Sequence, residues 1–140
     1  TIKIYLVVFQ LFKMHRDEVE LLKRRSKGFL NGAKERLKAG EYDVACFMAE
    51  QAVQLHLKAV ILDLSGEIPR THSIRKLLSI LSLILGKKLE FDRKSLIFLE
   101  GMYINARYLN VEYEREDAEE AIKIAEEVIE LVDRVCKEKG

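Results

Sequence analysis

The chain has 140 residues and a formal net charge of +1. That length suits one domain and can bury a core without disulfides, and a charge so near zero excludes a general basic field that would gather nucleic acid. One Pro, no Trp and an abundance of Ala, Leu, Ile, Val, Glu and Lys favour helices, and the charged content also fits a thermophile's surface.

The chain opens on an apolar run, Ile2–Phe12, IKIYLVVFQLF. It is too short to span a bilayer, which takes about 20 residues. With one early Lys and no small-residue cleavage site, it does not read as a signal peptide either. Residues 1–13 are set apart as an extension upstream of the natural domain start, and residues 14–140 as one domain. The β-branched content of the run favours a strand, and the pattern that follows favours a helix; both readings stand. An ordered apolar segment needs cover, from its own bundle or from a neighbouring chain.

Helical spacing then takes over. Val19, Leu22, Phe29, Leu30, Ala33 and Leu37 recur on one face, and Ala39-Gly40 closes that helix. A second helix is predicted from about Tyr42 to Leu64, broken by Gly66 and Pro69. Ser73 is the expected N-cap of a short third helix that carries Ile74, Leu77, Leu78 and Leu81 and ends near Gly86. Asp92 should cap a fourth helix with Leu96, Leu99, Met102, Tyr103 and Ala106. After a polar break at 110–114, a fifth carries an apolar stripe from Ala118 through Val135, with acids in its first turns as the helix dipole favours. Four long helices and one short one, joined by brief loops, predict an all-α antiparallel, up-and-down bundle.

The second helix carries the densest signal. Ala45, Ala49, Ala52 and Ala59 recur along it, and small residues let a neighbouring helix approach closely, so it should lie at the bundle's centre. Glu50 and Gln51 sit in its middle, and burying such a pair is costly unless it is hydrogen-bonded. Basic residues cluster at Lys23, Arg24, Arg25 and Lys27, and again from Arg70 to Lys94, while 112–130 is strongly acidic. Either these are solvated helix faces or the middle of the fold holds a basic groove.

Several chemistries find no support. Cys46 and Cys136 are far apart and read as two buried thiols in a reducing cytoplasm, without zinc spacing. The chain has no Glu-x-x-His pair for a di-metal bundle site and no glycine-rich phosphate loop. No metal or cofactor is expected. Of the three histidines, His15 reads as a surface residue and His56 as partly buried packing. His72, near the first turn of the short helix, is either an end-of-helix hydrogen-bonder or part of a site. The remaining constellation is Asn105-Ala106-Arg107-Tyr108. An Arg at a helix end offers a fork for phosphate, and a Tyr offers a stacking face for a base. The same Arg could instead satisfy the last carbonyls of its helix and pair with Glu112 or Glu114.

Taken together, Ala49-Glu50-Gln51-Ala52 with Lys58-Ala59, Thr71-His72-Ser73-Ile74 with Leu77-Leu78, Ala106-Arg107-Tyr108 and the closing helix from Glu116 resemble the HEPN domain family over roughly residues 14–136. The resemblance implies a helical bundle, commonly a homodimer, often encoded beside a minimal nucleotidyltransferase and associated with nucleotides or RNA. Many members are metal-independent ribonucleases in which an Arg is followed, after a few residues, by a His. Here Arg107 matches the Arg, but Tyr108 follows it and no His stands anywhere later in the chain. The acid/base of that chemistry is missing. Some partner systems adenylylate a Tyr near this motif; Tyr113 stands one position early for that pattern.

The reading is therefore a cytoplasmic, non-catalytic, toxin–antitoxin-like binding module, a homodimer that holds nucleotide or nucleic-acid phosphate and acts with a minimal nucleotidyltransferase, with no membrane contact. Arg107, Tyr108, Asn105, His72 and Arg75 are its candidate ligand-binding residues. The alternatives are a degenerate ribonuclease toxin using Arg107 and His72, and a purely structural dimerisation bundle.

Overall fold

The computed structural model describes residues 1–108 and 111–138, without the side chains of residues 106–108. Among the described residues the elements are α1 (Ile2–Lys38), α2 (Tyr42–Ser65), α3 (Ile74–Leu85), α4 (Arg93–Tyr108) and α5 (Arg115–Glu138), with no strand.

The helix ends follow local chemistry. Gly66 and Gly86 take left-handed backbone at the ends of α2 and α3, with φ of 82° and 65°, a conformation that costs other residues strain. The Ser73 hydroxyl accepts from the Lys76 N–H and caps α3. The Asp92 carboxylate accepts from both the N–H and the hydroxyl of Ser95, and these bonds hold its pKa below the usual value.

α2 lies at the centre and packs against all four other helices. Its alanines at 45, 49, 52 and 59 are fully buried, as is Cys46, whose thiol burial pushes up to about 12. Cys136 is half-buried, and the two cysteines are not joined in a disulfide. The seam of α1 against α2 is narrow. Only Val19, Ser26 and Ala33 of α1 are buried, at heptad spacing. Ser26 donates to the Ala52 carbonyl at 2.6 Å, so the one polar group in that seam is satisfied. Gly32 lies against Met48, where an added Cβ would collide with the Met48 side chain. From the other sides, Leu77 and Leu81 of α3, Leu99 and Met102 of α4 and Ala121, Ala125, Val128 and Val132 of α5 complete the core.

The stripe on α5 and the small residues of α2 are core, so neither leaves an apolar face for a second chain. The apolar run at 1–13 is helical and continuous with α1, so the 13/14 boundary falls inside one helix. It is also uncovered by its own bundle: Tyr5 is 78% exposed and Phe9 66%. Among the described residues, no helix is long and apolar enough to cross a membrane.

Candidate functional site: a buried carboxyl linked to an aromatic stack

Glu50 is fully buried in the middle of α2. Its two carboxyl oxygens accept from Gln51 Nε2 at 2.8 Å and from Gln54 Nε2, one turn further along the helix. Burial is the strongest influence on its pKa and lifts it from 4.5 to about 7. The two amide bonds and the Lys58 charge pull the other way, and the Glu100 charge adds to the rise. The Lys58 pKa is lowered by the same burial, which Glu50 opposes.

Gln54 passes this arrangement outward. Gln54 turns its amide nitrogen to Glu50, whose Oε2 accepts, and its oxygen to His72, whose Nδ1 lies 3.3 Å away. In the neutral imidazole this contact puts the ring proton on Nδ1, and Nε2 lies 3.5 Å from the Tyr103 hydroxyl. The His72 ring also stacks on Tyr103, with centroids 4.5 Å apart and planes 15° apart. Tyr103 stacks in turn with Phe47 at 6.5 Å. Three rings from α2, α4 and the α2–α3 connection thus form one stack, and His72 at its end is exposed.

The connection that carries His72 is held by α4. Thr71 Oγ1 accepts from the Ser73 N–H. Glu100 Oε1 accepts from the Ser73 hydroxyl at 2.6 Å and the Arg75 N–H at 2.8 Å, and Oε2 accepts from Arg75 Nε at 3.0 Å. Burial alone would raise the Glu100 pKa, but these bonds and the Arg75 charge outweigh it and the net direction is down. A carboxylate at the first turn of α3 also suits the helix dipole.

The five sequence-predicted ligand residues are not all placed together. His72 is in the stack. Arg75 stands beside it, with its guanidinium engaged by Glu100. Asn105 faces another way: its amide donates to the Tyr113 hydroxyl, and the Tyr113 N–H donates to Asp43 Oδ1 at 2.6 Å. The side chains of Arg107 and Tyr108 lie outside the described residues, as do any pairings of Arg107 with Glu112 or Glu114. The helical backbone of α4 places position 107 four residues, one turn, beyond Tyr103 on the same face. The condition for burying Glu50 and Gln51 is met, since the two are hydrogen-bonded to each other. Gln54, Glu100 and Phe47 were missed, although the i, i+4 spacing of Glu50 and Gln54 was a readable signal. Of the two readings of the middle basic cluster, the groove is weakened by pairing: Arg75 pairs with Glu100, Lys87 with Glu138 and Lys88 with Glu90.

The sequence model of the HEPN domain matches residues 19–135. A Methanocaldococcus jannaschii protein named "Putative toxin MJ1304" is 30% identical over 138 residues, covering 86% of this chain and 89% of its own length. Among solved structures, TT1696 from Thermus thermophilus superposes with a TM-score of 0.71 at 26% identity, covering 84% of this chain and 98% of that one. ST0689, described as an archaeal HEPN homologue, superposes with a TM-score of 0.62 at 25% identity, over 83% of this chain and 95% of that one.

Proposed function

The chain belongs to the HEPN domain family, and on that premise we propose that it is a toxin-like, non-catalytic binding module that holds nucleotide or nucleic-acid phosphate and acts with a minimal nucleotidyltransferase partner. The observation that carries the reading is the exposed His72 ring at the end of the Phe47–Tyr103–His72 stack, with position 107 one turn along the same α4 face. A base stacks on the outer face of His72, and the Arg107 fork takes the phosphate. Arg75 contributes charge at the rim while remaining paired with Glu100.

Titration of AMP, ATP and short RNA against wild type and Arg107→Ala, at two salt concentrations, tests this. Arg107→Ala should weaken nucleotide binding by about 1.5–3 kcal/mol, the worth of a charged hydrogen-bond pair, and wild-type affinity should fall as salt rises. Equal affinity of the two proteins would reduce Arg107 to a helix-end cap and leave the purely structural bundle ahead.

One observation favours a second reading, a degenerate ribonuclease. In the neutral imidazole the Gln54 contact leaves His72 Nε2 unprotonated, as a general base requires. The chain nevertheless lacks any His after Arg107. Purified protein incubated with structured and unstructured RNA at neutral pH should therefore show cleavage that is absent or weak. Robust cleavage abolished by both Arg107→Ala and His72→Ala would replace the binding module with the ribonuclease.

A further inference from the structure

We infer that the groove between α1, α2 and α5 is a second, separate anion site that takes the phosphate backbone of a single-stranded nucleic acid, with Lys23, Arg24, Lys27 and Lys137 as its cations. The groove encloses about 690 Å³. It opens on the side of α2 away from the aromatic stack: His56, in its wall, stands two residues after Gln54 and so about 200° round the helix. No residue lining it belongs to the site described above.

Charge pairing inside the groove is lopsided. It contains three carboxylates, and each already serves another group. Glu20 and Asp63 both engage Arg16, Glu20 at 2.9 Å, and Asp133 Oδ1 lies 2.7 Å from Nε2 of the buried His56. Among the described residues, Lys23, Arg24, Lys27 and Lys137 make no ion pair at all. Four unpaired cations therefore share one concave surface in a chain whose net charge is only +1. A groove walled by low-dielectric protein focuses that field.

The placement of the cations selects the ligand. Lys23 and Lys27 stand four residues apart on α1, about 6 Å along its axis. Arg24 adds a planar fork beside them, and Lys137 comes from the other wall on α5. With Lys23, Arg24 and Lys27 on one wall and Lys137 on the other, the cations line the groove at several points, as a run of successive phosphates requires. A structured acidic protein partner would need an apolar anchor at the centre of its interface. Leu64 is the one large exposed apolar side chain that the described groove offers.

The test is fluorescence anisotropy of a labelled uridylate dodecamer with the full chain, at low and moderate potassium chloride. Wild type should bind, with log K falling as log salt rises. The triple variant Lys23→Gln/Lys27→Gln/Lys137→Gln keeps helix-forming side chains of similar reach, and should lose at least tenfold in affinity and flatten the salt slope by about 2, since each single-strand phosphate contact contributes about 0.7. A control triple, Lys38→Gln/Lys94→Gln/Lys123→Gln, removes the same charge from exposed positions outside the groove and should bind as wild type does. Arg107→Ala should weaken AMP binding but flatten the dodecamer salt slope by no more than about 0.7, the share of one phosphate contact, which separates this site from the nucleotide site. The inference is overturned if wild type does not bind the dodecamer at low salt, if both triples lose affinity equally, or if polyglutamate displaces the dodecamer as well as unlabelled oligouridylate does.

Discussion

Replacing Glu50 with alanine should destabilise the protein by about 3 kcal/mol at pH 5 and by much less at pH 8. At pH 5 the buried carboxyl is mostly protonated, and its loss orphans the amide of the buried Gln54 and leaves a hole beside it. Each unsatisfied buried donor costs about 1–3 kcal/mol, and the cavity adds to that. The pH dependence follows from the raised pKa. Between 4.5 and about 7 the folded state holds a proton on Glu50 that the unfolded state has released. Stability therefore falls as pH rises through that window, by on the order of 3 kcal/mol for a shift of this size, and levels off above it. Wild type carries that penalty at pH 8, whereas the alanine variant carries none at any pH. Urea denaturation of both proteins at pH 5, 6, 7 and 8 measures the difference. Parallel stability curves would show that Glu50 does not titrate in this range.

Deleting residues 1–13 should convert a dimer into a folded monomer. Ten large apolar side chains between Ile2 and Met14 are exposed, from Met14 at 51% to Tyr5 at 78%. At roughly 150–250 Å² for each large ring and less for the aliphatics, they present on the order of 1,000 Å² of apolar surface. The largest patch on a typical monomer is about 300–600 Å², and a standard interface takes about 800 Å² from each partner. We propose a second copy as the cover, in keeping with the homodimer that the resemblance implies. The bundle itself does not depend on the segment, because the burial of α1 begins at Val19 and its Arg16–Asp63 ion pair lies beyond the deletion. Light scattering at micromolar concentration should give twice the chain mass for the full protein and a single chain mass for the truncated one, with unchanged helicity. A full-length monomer would sink the proposal.

Much of the bundle was legible because the signals that make a helix are local. Apolar spacing of 3.6 residues, the Ser73 and Asp92 caps and the glycines at 66 and 86 act within a turn or two of themselves, and each stands where its chemistry required. The alanines of α2 were enough to place that helix at the centre, since only small side chains let four neighbours come close. The presence of Glu50 and Gln51 amid them was enough to demand a hydrogen bond.

The site was legible only in fragments. His72 could be singled out, but its partners come from Gln54, 18 residues away, and from Tyr103 on α4. Arg75 looked like a free cation until Glu100, 25 residues on, was seen to hold it. His56 finds Asp133 across 77 residues. The α5 stripe and the N-terminal run are both apolar in sequence, yet one is core and the other is bare. Sequence by itself determined which residues turn the chain, which faces are apolar and which polar groups would be costly to bury, because propensity, capping and periodicity act between near neighbours. Only the tertiary structure decided which cations are neutralised, which ring stacks on which and which apolar face goes uncovered, because those outcomes depend on how helices distant in the chain are brought side by side.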